Sequence, residues 1–255
     1  MKNLLLLLLL LLPLTGCLDD DDGMETLQDA ELTIAFRAEY GGEPLHIQSE
    51  AYGYPTGDSL KLLLFQYYLS DLALNDGSGR RQYLLSDIDL IRWNSATDDP
   101  TQERTYTVSV PVGTYQGLTF GLGVKPTLNA TDPSNFPADY VLNENEFWGP
   151  TTRYVFAKIE ANAQLEEDGR YDTGLSYHMG SDSLYRGVQL DRSFTITDGS
   201  SPHLTIVVDV RNALSSNGQT LDITDPTKQA VHGGNQQVAS GVWHRLSRSF
   251  RLEVN

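Results

Sequence analysis

Arg104-Thr105-Tyr106-Thr107-Val108-Ser109-Val110-Pro111-Val112-Gly113-Thr114-Tyr115-Gln116-Gly117-Leu118-Thr119-Phe120-Gly121-Leu122-Gly123-Val124 is the stretch that decides the fold class. Successive side chains of an extended chain point to opposite faces, so Tyr106, Val108, Val110 and Val112 share one face and Thr105, Thr107 and Ser109 the other. After Gly113-Thr114 the pattern restarts. Leu118, Phe120, Leu122 and Val124 alternate with Gly117, Thr119, Gly121 and Gly123. Two half-buried strands around a short Gly-containing turn read as a β-hairpin.

The same period of two runs outward in both directions. It recurs in Val188, Leu190, Phe194 and Ile196, in Leu204, Ile206, Val208 and Val210, and in Leu246, Phe250, Leu252 and Val254. Leu32 to Phe36, Leu60 to Leu69, Leu72 to Leu74 and Tyr83 to Ile91 read as further strands, with Asn75-Asp76-Gly77-Ser78-Gly79 as a turn. About ten strands and no long amphipathic helix predict an all-β protein, an antiparallel β-sandwich. Short helices are expected around Asn143 to Phe147, Arg211 to Ser215 and Gln236 to Arg245. No Pro/Ser-rich linker or repeat divides the chain, so residues 30–255 read as one domain.

The amino terminus reads as a targeting segment. Met1-Lys2 leads into the apolar run Leu4 to Leu12, too short to span a bilayer, and then Pro13-Leu14-Thr15-Gly16-Cys17, so residues 1–17 are expected to be a secretory signal peptide. Leu-Thr-Gly-Cys resembles the lipobox of bacterial lipoproteins, which implies cleavage before Cys17, acylation of its thiol and a membrane anchor. It also accounts for the only cysteine. Residues 18–29 carry the run Asp19 to Asp22, four adjacent carboxylates that repel one another and stay solvated as a tether. Such an acidic run resembles the export tag of surface lipoproteins, and Leu18 after the cysteine does not favour inner-membrane retention. A plain spacer accounts for the acidic run equally well, so the expected location is the envelope of a Gram-negative bacterium, in the outer membrane and facing either the surface or the periplasm.

A formal charge of −16 disfavours nucleic acid as a partner, because phosphate binding draws on Lys/Arg clusters that this chain lacks. Enzyme signatures are missing too: there is no G-x-S-x-G elbow, no H-E-x-x-H and no cysteine nucleophile after Cys17, and no enzymatic role is expected. Asp222-Ile223-Thr224-Asp225-Pro226 and Thr131-Asp132-Pro133 carry carboxylates suited to calcium, but turn formation accounts for them more simply.

Four segments carry a family resemblance. Phe65-Gln66-Tyr67-Tyr68-Leu69-Ser70-Asp71-Leu72-Ala73-Leu74 is similar to the "fYlSni.L" strand of the MbnP-like copper-binding domains, and Val110 to Val124 to their "vPaGtY.gi.FglGv" segment. Phe147-Trp148 with Tyr154-Val155-Phe156-Ala157-Lys158-Ile159-Glu160 resembles "mYW.W..GY.F.KlEG", and Tyr177-His178-Met179-Gly180 resembles "f.yHlG". The resemblance implies an extracytoplasmic β-sandwich that binds copper for its acquisition or handling. It also implies that a Trp, here Trp148, is oxidised to kynurenine by a partner dihaem peroxidase of the MauG-like type and joins His side chains at the metal. By position those are His178 and His232, with His46 a third candidate. Pro150 and Arg153 depart from the pattern, which places a second Trp or a His at the first position and Gly at the second.

On chemistry alone, two imidazoles suffice for copper(I), with the thioether of Met179 nearby. The five histidines, His46, His178, His203, His232 and His244, show no paired spacing, so sequence leaves open surface or hydrogen-bonded core roles for each. Trp148 can likewise plug one end of the sandwich. Lys158 and Glu160 share one face of a strand, either as a partly buried ion pair or facing solvent. The competing class of function is a metal-free surface lipoprotein module that holds a glycan or an envelope protein.

Overall fold

The computed structural model describes residues 27–77, 82–142, 146–232 and 236–255. The signal segment, Cys17 and the acidic run lie outside the described residues, as do parts of the Asn75 to Gly79 turn and of the segment expected to be helical at Asn143 to Phe147. In chain order the strands are β1 (Leu27–Tyr40), β2 (Glu43–Pro44), β3 (Tyr52–Gly53), β4 (Ser59–Asn75), β5 (Gln82–Trp93), β6 (Thr101–Pro111), β7 (Gly113–Leu122), β8 (Ala157–Gln164), β9 (Thr173–Met179), β10 (Arg186–Ile196), β11 (His203–Asp209), β12 (Ser215–Ser216), β13 (Gln219–Thr220), β14 (Ala230–His232) and β15 (Phe250–Val254). The α-helices are α1 (Pro126–Asn129), α2 (Val210–Leu214) and α3 (Gln236–Leu246).

Two sheets face each other. One has the order β15-β11-β1-β2, with β6 also paired to β1; the other runs β10-β7-β4-β8-β9-β14, with β3 and β5 on β4. Their inner faces form one apolar core, crossed by Phe250 of β15, whose ring meets Tyr67 of β4 and Phe120 of β7 edge-on at 5.3 Å. Offset and edge-on aromatic packing of this kind adds about 0.5–1.5 kcal/mol per pair beyond burial.

The all-β sandwich is therefore the observed architecture, but its sheets are mixed rather than wholly antiparallel. β1 pairs with β11 in parallel, and so does β9 with β14. In both pairs the connection is long enough to return the chain to the same end of the sheet, which parallel pairing needs.

A second difference concerns the opening stretch. β6 and β7 are half-buried strands with the expected alternation, but they do not form a hairpin. β6 pairs with β1 in one sheet, while β7 lies between β10 and β4 in the other. Val112 is the crossing point, and the Tyr115 hydroxyl donates to the Pro111 carbonyl at 2.7 Å to tie the corner. Facing apolar sides bury as well across a sandwich as within one ladder, so the period of two fixes the face but not the partner.

β4 joins the two stretches expected as separate strands. Asp71 takes a positive φ of 51°, the ladders to β5 and β7 shift register around it, and pairing resumes beyond. The strand thus pairs first with β8 and then with β7 along one edge. At the carboxyl end, Leu246 closes α3 rather than opening the last strand, which begins at Phe250.

Candidate functional site

β8 sets the geometry. Ala157, Ile159, Ala161 and Ala163 enter the core, so Lys158, Glu160, Asn162 and Gln164 stand on the outer face of the sheet. β9 pairs with it so that Lys158 opposes His178 and Glu160 opposes Ser176. β14 then adds in parallel, setting His232 directly beside His178. On the other edge of β8, Gln66 of β4 opposes Lys158 and Arg92 of β5 opposes Gln66. One row perpendicular to the strands therefore reads Arg92, Gln66, Lys158, His178, His232, with neighbours one strand spacing, about 4.8 Å, apart.

Trp148 closes over this row. Phe147 and Tyr154 form an antiparallel bridge, and the Trp148 amide donates to the Arg153 carbonyl at 3.0 Å, so residues 148–153 make a tight loop. Gly149 at φ 116° and Arg153 at φ 61° supply its left-handed positions. The second explains why glycine suits the place Arg153 holds. The Arg153 guanidinium offsets part of the strain by donating to the Ala130 carbonyl at 3.1 Å. Pro150 sits at the loop's turn and contributes nothing to the row.

The two imidazoles and the indole are in mutual contact. His178 and His232 ring centres lie 4.7 Å apart at 74°, Trp148 meets His178 edge-on at 5.1 Å, and Trp148 lies nearly parallel to His232 at 6.0 Å. Trp148 is 40% exposed, large for an indole, so it lies over the histidines instead of plugging the sandwich. A small cleft of about 30 Å³, enough for a water or an ion, opens beside them among Trp148, Thr152, His178, Met179 and Gln236.

Hydrogen bonding fixes the tautomer of His178. Its Nε2 lies 2.6 Å from Glu160 Oε1 and 3.2 Å from Ser176 Oγ. An ionised carboxylate only accepts, so Nε2 carries the hydrogen and Nδ1 carries the lone pair. Nδ1 is buried and has no protein partner among the described residues. Burial holds the His178 pKa below its ordinary value; Glu160 pulls it upward, while Lys158 and His232 add to the lowering, and the ring stays neutral. The same Ser176 hydroxyl lies 3.1 Å from His232 Nε2 and links the rings.

Lys158 and Glu160 are not a pair with each other. Two residues apart on one strand, they reach across strands: Glu160 to His178, and Lys158 to Glu146, its Nζ 2.5 Å from Oε2. Glu146 is buried and also receives Arg92 at 2.5 Å, while Arg92 donates to Gln66 at 2.7 Å. Lys158 Nζ also lies 5.7 Å from the Trp148 ring centre. Sequence reasoning missed Glu146 and Arg92, which carry no motif and lie far from Lys158 along the chain.

The remaining candidates fall elsewhere. His46 follows β2, its Nε2 4.0 Å from Glu50, and is not brought to the row. Met179 alternates with His178, so its side chain turns into the core and forms part of the cleft floor. Cys17 is outside the described residues. Asp222 and Asp225 cap Thr224 and Thr227, as turn residues do. Among the described residues no group of three or more His, Cys, Asp or Glu is arranged to hold a metal.

A family model described as MbnP matches residues 29–233. The chain belongs to the MbnP family. The match spans β1 to β14 and so takes in every member of the row. No curated protein matches the chain. Among solved structures it is similar to MbnP from Methylosinus trichosporium, with a TM-score of 0.53 at 13% identity over 89% of this chain and 99% of that one. At that identity the likeness to the Methylosinus MbnP bears on fold alone.

Proposed function

We propose that this MbnP-family chain is an extracytoplasmic, lipid-anchored protein that binds copper for acquisition or handling, with His178 and His232 as its ligands. The observation that carries the reading is the buried Nδ1 of His178, without a protein partner among the described residues, beside a second imidazole, its proton held on Nε2 by Glu160. A carboxylate behind the imidazole orients the ring and raises its basicity toward a metal. The donor set also selects among metals. Calcium and magnesium call for many oxygen ligands and structural zinc for four donors, whereas copper(I) accepts two imidazoles. When bound, copper would give the site a redox-active, soft Lewis acid. The protein's share is to hold the two rings together, keep His178 neutral and set Trp148 over both.

Trp148 is the residue we propose for oxidation to kynurenine by a partner dihaem peroxidase. It is exposed enough for electron exchange with a docked protein and touches both rings. Cys17 is proposed as the acylated anchor, residues 18–29 as the tether and residues 30–255 as the single binding domain, in the outer membrane of a Gram-negative cell. The role is binding rather than turnover.

The test is a copper(I) titration against a chromophoric chelator. One ion per chain is expected, lost in His178→Ala and in His232→Ala. Unchanged binding in both variants would remove the ligand assignment.

A further inference from the structure

Glu146 has no place in the ligand set, yet the row is built around it. It comes from the loop before Trp148, and its carboxylate is buried between Arg92 at 2.5 Å and Lys158 at 2.5 Å. Its backbone carbonyl accepts from the Val155 amide at 3.0 Å, so the residue also closes the Trp148 loop. Lys158 is the difficulty it addresses. The ammonium is mostly buried, opposes His178 in the ladder and lies 5.7 Å from the Trp148 ring centre. A positive charge there opposes any cation held by His178 and His232.

We propose that Glu146 is a positioning residue that offsets the charge of Lys158 and thereby lets the outer face of β8 and β9 accept a cation next to it. This deepens the copper reading and is tested apart from it. Two cations, Arg92 and Lys158, face two carboxylates, Glu146 and Glu160, beside the His178 and His232 rings. The face is balanced before a metal arrives. Without Glu146, one uncompensated charge acting over a separation like the 5.7 Å between Lys158 Nζ and the Trp148 ring centre, at an effective dielectric of about 20, corresponds to on the order of a hundredfold in affinity, and partial exposure reduces this to about tenfold or more.

Ionic quenching of tryptophan fluorescence reads the local charge directly. Trp93 and Trp243 are fully buried, so iodide and caesium reach Trp148 alone. In the full chain, Glu146→Gln is expected to raise the ratio of iodide to caesium quenching at least twofold. Lys158→Met should lower it, and the double variant should return it close to the parent value. Copper(I) affinity should follow, falling at least tenfold in Glu146→Gln and recovering to within about threefold in the double variant. Quenching ratios that stay constant in both single variants, or a double variant no better than Glu146→Gln, would overturn the proposal. Quenching shifts of the expected sign in a protein that binds no copper(I) would support the charge assignment and remove the copper reading instead.

Discussion

Gly180→Ala places one methyl group where the structure has none to spare. A Cβ built on Gly180 stands 2.3 Å from the Tyr154 carbonyl oxygen, 2.9 Å from Val155 Cα and 3.1 Å from the Phe156 amide nitrogen. All three are backbone atoms, so no side chain can swing aside; the 154–156 segment must part from β9 by roughly 1 Å to reach ordinary contact distances. Overpacking of this kind costs about 1–3 kcal/mol. The movement also strains the hydrogen bond from the Phe156 amide to the Met179 carbonyl, 2.7 Å long, worth about 1 kcal/mol. The expected loss is therefore about 2–4 kcal/mol in urea unfolding, seen as a lower midpoint at unchanged slope. The same segment carries the Trp148 loop, so the emission of the exposed indole should change alongside. A loss below about 0.5 kcal/mol would refute the claim that β9 and the Trp148 loop are held in contact through backbone at Gly180.

Other outcomes follow from the same geometry. Glu160→Gln keeps the size of the side chain but replaces an acceptor-only carboxylate by a neutral amide that donates as well as accepts and no longer fixes the His178 tautomer, and copper(I) affinity should fall about 10–100-fold with the fold intact by circular dichroism. Arg153 at φ 61° should show the left-handed preference in a matched pair lacking the guanidinium: Arg153→Gly is expected to be about 1 kcal/mol more stable than Arg153→Ala by urea unfolding. Burial would raise the Glu253 carboxyl, but Arg37 and Arg251 outweigh it and hold the group below its ordinary 4.5. That stabilisation is complete above the ordinary value and disappears as pH falls through the lowered one. Glu253→Gln should therefore destabilise the protein most at pH 7, with the penalty shrinking steadily as the pH is lowered below the ordinary 4.5.

The sequence showed which residues face inward more clearly than which strands meet. Tyr106, Val108 and Val110 on one side and Leu118, Phe120 and Leu122 on the other announce two half-buried strands, and both are present. Their placement in opposite sheets depends on the corner at Pro111 to Tyr115, a long-range outcome that alternation does not encode. The site divides the same way. Trp148 and His178 were legible through family motifs, whereas the meeting of His178 with His232 depends on a parallel strand added from far along the chain. Lys158 and Glu160 were visible as same-face neighbours, but their partners come from other strands and from a loop. Glu146 gave no signal at all, because one of two acids shortly before Trp148 looks like any other surface carboxylate until Arg92 and Lys158 are found on either side of it.

Copper held by His178 and His232 in the cell envelope would be present in the protein as it is isolated. Protein purified from its native host, without added metal, should carry close to one copper per chain by elemental analysis, and the His178→Ala variant purified in parallel should carry none. Native protein free of copper, or copper retained at the same level in His178→Ala, would contradict the account.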